Sequence, residues 1–251
     1  MRCGRRISTC DAAGLRIVGF ESEEQLVKAI VACAKRASRR DYRIELEVDA
    51  GVGIADLVLA KRASRTTNAL QALAGITPRL AVLLSPEVCR TITSKETLAA
   101  SLGTTEGGTA RVISLLSTLG LVQRQGDSLF ISPVTVPPFE RVIAVEAKLS
   151  EWQRVIVQAS RNLQFADESW VVLDHAYVRP ALSQIDRFKA AGVGLASIER
   201  KGGGLYVHLA AKTVGPLTEA KRWHAQAALA ARVVMRRVCT SEGSQSVVPG
   251  R

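Results

Sequence analysis

Two apolar segments in the second half of the chain flank a segment of helical composition. Residues Arg141–Leu149 and Trp170–Leu173 are rich in valine and other apolar residues, and Ser150 can cap a helix that extends through Asp167. Two strands joined by a helix are typically parallel neighbours, because a parallel connection needs a crossover of a dozen or more residues. The sequence therefore predicts a strand–helix–strand unit within an α/β fold.

Further segments extend this predicted sheet. Residues Tyr42–Val48 alternate between apolar and charged side chains, which indicates a strand, and the turn residues Asp49–Gly53 connect it to a second strand at Ile54–Ala60. Apolar residues at steps of three and four predict an amphipathic helix from Glu21 to about Arg40. Later elements are predicted at Ala181–Ala191 (helix), Gly194–Ile198 and Leu205–Ala210 (strands) and Leu217–Val238 (helix). The predicted fold class is α/β, with a mixed sheet flanked by helices.

The residues from about Leu70 to Ser132 predict a different unit. A short helix from Ser94 is stopped by Gly103, and Thr104 or Thr105 can cap a second helix, which extends to about Leu119. Alternating residues around Gly126-Asp127 then predict a hairpin. This order, in the string LAASLGTTEGGTARVISLLSTLGLVQRQGDSLFIS, resembles the winged helix-turn-helix family.

The composition favours a folded, basic protein. Of the 251 residues, 47% are hydrophobic, and 34 Lys and Arg against 23 Asp and Glu give a net charge of +11. This excess favours a polyanionic partner such as nucleic acid, although a basic solvated surface has the same composition. Because no apolar stretch is long enough to span a bilayer and no signal-peptide pattern is found, we expect no membrane association and a cytoplasmic location.

Three charged residues interrupt apolar strands. Asp56 lies in GIADLVLA, and Glu146 and Lys148 lie in VIAVEAKLS. Residues two apart on a strand share a face, so Glu146 and Lys148 point the same way. If the strand of Asp56 pairs with that of Glu146, two carboxylates and an ammonium lie together, which is an oxygen-ligand site for Mg²⁺ or Mn²⁺. Such a metal polarises a scissile phosphate and activates water, while Lys148 orients that water or offsets negative charge.

Asp56, followed by Glu146-x-Lys148 on a later strand and then by a helix, resembles the PD-(D/E)xK nuclease superfamily, which has the restriction-endonuclease-like fold. The resemblance implies that Asp56 and Glu146 bind the metal and that Lys148 is the catalytic lysine. It also implies a metal-ligand role for Glu23, at the start of the first helix, and a catalytic role for Gln158, on the helix after the E-x-K strand. It covers approximately residues 21–60 and 141–210.

Two features depart from the family pattern. Ala55 stands where a proline often precedes the first acid, and the segment resembling a winged helix separates Asp56 from Glu146. An insertion at a loop is tolerable because the entropy of loop closure grows slowly with length. The predicted organisation is a first part of the nuclease core at 1–66, a winged-helix insertion at 67–136, a second part with the C-terminal helix at 137–239, and a tail at 240–251.

Each predicted site residue also has an ordinary structural explanation. Glu146 and Lys148 are compatible with a charged pair on a solvated edge, and Asp56 with a cap at a strand end. An acid in the first turn of a helix, such as Glu23, is favoured by the helix dipole whatever its function. Gln158 is equally compatible with a polar helix surface.

Contacts with nucleic acid are predicted at the junction after the first hairpin and in the segment resembling a winged helix. The candidates are Lys61, Arg62, Arg65, Thr105, Arg111, Arg124 and Gln125. Such residues contact phosphates and position a protein on DNA. Arg111 is the single cation of the second helix of the segment, so a role in dimerisation or in positioning the substrate is equally compatible with the sequence.

The sequence thus predicts a divalent-metal-dependent DNA endonuclease that hydrolyses phosphodiester bonds with a metal-activated water. A DNA-binding regulator or recruitment factor with an inactive nuclease-like core is the alternative, and an RNA substrate is equally compatible. Cutting both strands of a duplex takes two sites, which favours a homodimer, although no sequence pattern marks an interface.

Overall fold

The computed structural model describes residues 18–37 and 41–242, with side chains as far as Arg236. Its helices are α1 (Glu23–Ala37), α2 (Thr67–Gly75), α3 (Pro86–Thr91), α4 (Lys95–Leu102), α5 (Glu106–Thr118), α6 (Trp152–Asn162), α7 (Arg179–Leu182), α8 (Ile185–Ala191) and α9 (Glu219–Glu242), with 3₁₀ helices at Pro78–Leu84 and His175–Tyr177. Its strands are β1 (Tyr42–Asp49), β2 (Ile54–Arg62), β3 (Val122–Gln125), β4 (Ser128–Ile131), β5 (Phe139–Lys148), β6 (Glu168–Asp174), β7 (Gly194–Ile198) and β8 (Leu205–Leu209). Residues 38–40 of the predicted first helix and 243–251 of the predicted tail lie outside the described residues.

Six strands form one mixed sheet in the order β1-β2-β5-β6-β7-β8. The pairs β5–β6 and β6–β7 are parallel, and the pairs β1–β2, β2–β5 and β7–β8 are antiparallel. The predicted α/β class with a mixed sheet flanked by helices is confirmed. The predicted strand–helix–strand unit is β5–α6–β6, which places the end of β5 inside the sheet rather than at its edge.

The two faces of the sheet are covered by different helices. On one face, alternate strand residues pack with α1 in a cluster that includes Leu26, Ile30, Leu57, Leu59, Val145 and Ala147. On the other face, β2 and β5 pack with α9 in a cluster that includes Val58, Ala60, Ala144, Trp223 and Ala227. Over β6, this second face packs with α6 through residues that include Val155, Ala159, Val171 and Leu173. The period of two in β2 and β5 puts Asp56 and Glu146 on the face covered by α6 and α9.

The chain between β2 and β5 forms helices α2 to α5 and the hairpin β3–β4. Ser94 and Thr97 form a reciprocal capping box at the start of α4, and Gly103 ends that helix in the left-handed conformation. Thr105 caps α5 by accepting a hydrogen bond from the backbone of Gly108. These caps agree with the predicted helix boundaries. The buried cluster of the sheet and α9 continues into this segment through residues that include Leu70, Leu84, Leu98 and Leu116.

Two helices are shorter than the sequence predicts. The helix after β5 ends at Asn162 instead of Asp167, because the amides of Phe165 and Ala166 both donate to the Asn162 carbonyl and the amide of Asp167 donates to Val142 of β5. The predicted helix Ala181–Ala191 consists of two pieces, α7 and α8, that are separated at Ser183 and Gln184. Among the described residues, no helix is both long enough and apolar enough to cross a bilayer.

Candidate active site

The candidate site lies where the start of β2 meets the end of β5. Antiparallel pairing places Leu57 opposite Val145, so the preceding residue, Asp56, lies beside Glu146. The Asp56 carboxylate accepts a hydrogen bond of 2.8 Å from the backbone amide of Ala147. This bond fixes the carboxylate against the strand that carries Glu146 and Lys148.

Lys148 lies between two carboxylates. Its Nζ donates to Glu23 at 2.7 Å and lies 3.8 Å from Oδ2 of Asp56. Burial lowers the pKa of this ammonium, but the hydrogen bond to Glu23 and the charges of Asp56, Glu23 and Glu146 outweigh burial, so the pKa is raised above its ordinary value. Lys148 is therefore a fixed positive charge at the site near neutral pH.

Glu146 is the most deeply buried acid of the site. Glu146 is 2% exposed, and its Oε1 accepts a hydrogen bond of 2.7 Å from Nδ2 of Asn162 on α6. Burial raises the pKa of Glu146 to about 7, and the charge of Asp56 acts in the same direction, whereas Asn162 and Lys148 lower it. The influence of Asp56 shows that the two carboxylates are close enough to repel each other when both are ionised.

Glu23 approaches the site from the other face of the sheet. It is the first residue of α1, and its side chain is 48% exposed instead of packing with the apolar stripe of that helix. It reaches the site by its hydrogen bond to Lys148 around the end of β5. The structure thus brings Glu23 together with Asp56, Glu146 and Lys148.

Gln158 and Asn162 lie one turn apart on α6. Gln158 is exposed, whereas Asn162 is 3% exposed and contacts Glu146 directly. Asn162 is not among the site residues predicted from the sequence, yet the sequence contains a signal for it. Asn162 is a polar residue in the buried stripe that contains Val155 and Ala159, and a buried amide requires a hydrogen-bond partner.

Two of the predicted nucleic-acid contacts lie on β2, at a distance from these carboxylates. Lys61 and Arg62 are at the far end of β2, about 17 Å from Asp56 at the usual rise per strand residue. Lys61 is ion-paired with Glu140, and Arg65 is exposed after the strand. Four further candidates are exposed on α5 and β3 or at the cap of α5, namely Thr105, Arg111, Arg124 and Gln125.

The carboxylates of Asp56 and Glu146 suit a hard divalent cation that has few protein ligands. Among the described residues, no group of three or more His, Cys, Asp and Glu side chains is arranged to hold a metal ion. Mg²⁺ is usually bound through one or two carboxylates and keeps several waters. Asp56 and Glu146 supply two oxygen donors whose mutual repulsion a cation would relieve, so the residues present fit such an ion.

No protein-family model, curated protein sequence or solved structure matches this chain. The arguments for function therefore depend on the geometry of the site itself.

Proposed function

We propose that this protein is a divalent-metal-dependent DNA endonuclease of the PD-(D/E)xK type, with a restriction-endonuclease-like core and an inserted winged helix-turn-helix unit. The observation that supports the proposal best is the meeting of Asp56, Glu146 and Lys148 at adjacent ends of β2 and β5. Asp56 precedes Glu146 and Lys148 by 90 or more positions in the chain, and Glu146 and Lys148 are two positions apart. Their convergence agrees with the residue types and strand placement of the family that the sequence resembles.

The chain's own groups have distinct roles in this proposal. Asp56 and Glu146 would hold Mg²⁺ or Mn²⁺ as ionised carboxylates, so Glu146, whose pKa is raised to about 7, would act as a ligand without its proton. When bound, the ion supplies Lewis-acid polarisation of a phosphate and a water of lowered pKa. Lys148 offsets the negative charge that develops on the phosphate, and Glu23 positions its ammonium at 2.7 Å. Asn162 holds the Glu146 carboxylate in place.

The segment between β2 and β5 supports DNA as the substrate class. Helix α4, the turn at Gly103, helix α5 and the hairpin β3–β4 follow in the order of a winged helix-turn-helix, and an isolated β-bridge pairs Ser94 with Ser128 of the hairpin. Thr105, Arg111 and Arg124 are exposed on this segment. Together with the net charge of +11, these positions favour contact with phosphates.

A plasmid cleavage assay tests the proposal. Supercoiled plasmid is incubated with Mg²⁺, Mn²⁺ or EDTA and with the parent protein, Asp56→Ala, Lys148→Ala or the control Glu140→Gln. Glu140 is also an acid on β5, but it is half exposed and pairs with Lys61. We expect metal-dependent nicking or cutting by the parent and Glu140→Gln, and loss of cleavage in the other two variants.

Single-stranded DNA and RNA of the same sequence, assayed in parallel, define the preferred substrate. Cleavage that persists in Asp56→Ala and Lys148→Ala would refute the assignment of the site. If the parent binds DNA but no metal produces cleavage, the alternative of a DNA-binding regulator with an inactive core is the better account.

A further inference from the structure

A polar cavity lies at the turn between β1 and β2. It has a volume of about 310 Å³ and is lined by Asp49, Gly51, Arg79, Ala220, Lys221 and His224. At about 30 Å³ per water in the liquid, this volume holds roughly ten waters, enough for a phosphate group with part of its hydration shell. Its cationic and imidazole groups come from two separate segments, the 3₁₀ helix Pro78–Leu84 and the first turns of α9, and the β1–β2 turn supplies Asp49 and Gly51.

The backbone of the turn is fitted to the cavity. Gly51 has a positive φ of 75°, and a Cβ at this position would lie 3.0 Å from the ring of His224 and 3.3 Å from Nζ of Lys221. Nζ of Lys221 donates to the carbonyl oxygen of Gly51 at 2.7 Å. Glycine therefore allows the turn to approach both side chains closely, and Lys221 is held at the cavity by the backbone.

The cavity has an excess of positive charge. Within the described part of the chain, neither Arg79 nor Lys221 forms an ion pair with a carboxylate. Asp49 is the acid at the cavity, and its Oδ1 already accepts a hydrogen bond of 2.8 Å from the amide of Gly51. Burial lowers the pKa of His224, and the charges of Lys221 and Arg79 lower it further against the opposing effect of Asp49. The cations are thus near enough to one another for a bound anion to relieve their repulsion.

The cavity is close to the candidate active site and on the same side of the sheet. Asp49 lines the cavity and pairs with Ile54, two residues before Asp56, so the cavity lies on the order of 10 Å from Asp56. Helix α9, which supplies Lys221 and His224, packs on the face of the sheet that carries Asp56. Phosphates of one DNA strand are spaced by 3.4 Å along the helix axis, so about 10 Å corresponds to roughly three nucleotides.

We propose that the cavity formed by Arg79, Lys221 and His224 binds a backbone phosphate of DNA about three nucleotides from the phosphodiester at Asp56 and Glu146. The proposal rests on the proposed function for the identity of the ligand as DNA. Arg79 and Lys221 supply the charge, and His224 supplies a ring nitrogen as a hydrogen-bond donor. The contact positions the substrate and carries no information about base sequence.

Binding of a labelled DNA duplex as a function of salt tests this assignment. All proteins in this experiment contain Asp56→Ala, so that the duplex is not cleaved. The double variant also carries Arg79→Ala and Lys221→Ala, and the control carries Arg43→Ala instead. Arg43 is an exposed arginine at the other end of β1. Each phosphate contact contributes about 0.9 to the slope of log affinity against log salt concentration. Removal of one contact therefore lowers the affinity at 0.1 M salt roughly tenfold. We expect the slope to decrease by about 0.9 in the double variant, because one phosphate contact is lost, and to be unchanged in the control.

Several outcomes overturn the assignment. One is a double variant with the same slope and affinity as the control, and another is a parent chain that does not bind the duplex at all. Stabilisation of the parent by inorganic phosphate, with no change of slope for DNA in the double variant, would assign the cavity to free phosphate instead. If the slope decreases in the double variant but the protein without Asp56→Ala does not cleave DNA, the phosphate site is supported and only the proposed nuclease activity is contradicted. Arg79→Glu, a second variant, is expected to weaken binding more than Arg79→Ala.

Discussion

Replacing Glu146 with glutamine tests the account of the buried carboxylate. Glutamine has nearly the same shape and keeps an oxygen that accepts the hydrogen bond from Asn162. It removes the ionisable group, whose pKa is raised from 4.5 to about 7 by burial and by the charge of Asp56. The substitution therefore isolates the free energy of ionising this side chain in the folded protein.

The sign of the effect follows from proton binding. Between pH 4.5 and about 7 the folded protein keeps the proton of Glu146 and the unfolded chain does not, so stability falls as the pH rises through this window. Each pH unit contributes about 1.4 kcal/mol, which gives a total of about 3 kcal/mol. Relative to Glu146→Gln, the parent is thus expected to lose about 2.5 kcal/mol of unfolding free energy between pH 5 and pH 8, where most of this titration takes place.

Urea unfolding of both proteins at intervals from pH 5 to pH 8 measures this difference. The tryptophans Trp152, Trp170 and Trp223 provide the fluorescence signal, and EDTA removes divalent ions. Comparison with the variant cancels the titration of His208 and His224, whose pKa values are lowered chiefly by burial. A difference between parent and variant that does not change with pH would refute the reasoning.

Three further predictions concern the site and the sheet. Lys148→Ala is expected to reduce single-turnover DNA cleavage by at least about 10²-fold, because a positive charge aimed at the reacting phosphate is lost; cleavage at the parent rate would contradict this role. Asn162→Ala removes a hydrogen bond that lowers the pKa of Glu146, so the pH dependence of stability should extend to higher pH, and an unshifted profile would count against the contact. Gly194→Ala places a methyl group against the ring of Trp170, which should destabilise the sheet by about 1–3 kcal/mol in urea unfolding; an unchanged midpoint would exclude the overlap.

The sequence predicts the strands that carry the site, whereas the pairing of the Asp56 strand with the Glu146 strand, a condition of that prediction, is shown by the structure. Period-two alternation identifies β1, whereas β2 and the second half of β5 are apolar runs that contain Asp56 and Glu146. Asp56 and Glu146 are like charges in apolar strands, and Lys148, on the same face as Glu146, is the opposite charge that offsets them at the site. The position of Glu23 does not follow from a strand pattern, because this residue is half exposed at the start of α1 and meets the site through its contact with Lys148.

Other features depend on contacts between distant segments. Arg79, Gly51 and Lys221 meet at one cavity although no local pattern connects them. The early end of α6 is determined by hydrogen bonds from Asp167 to β5, which helix propensity does not describe. By contrast, the separation of Lys61 from Asp56 follows from strand geometry, since five residues of one strand span about 17 Å.

The central claim is that Asp56 and Glu146 together bind one divalent cation. Anomalous diffraction from crystals soaked in Mn²⁺ tests it most directly, because the ion is located independently of any activity. The account predicts a manganese peak within about 2.0–2.6 Å of a carboxylate oxygen of both residues. Manganese bound elsewhere, or no manganese between these two side chains at saturating concentration, would contradict it.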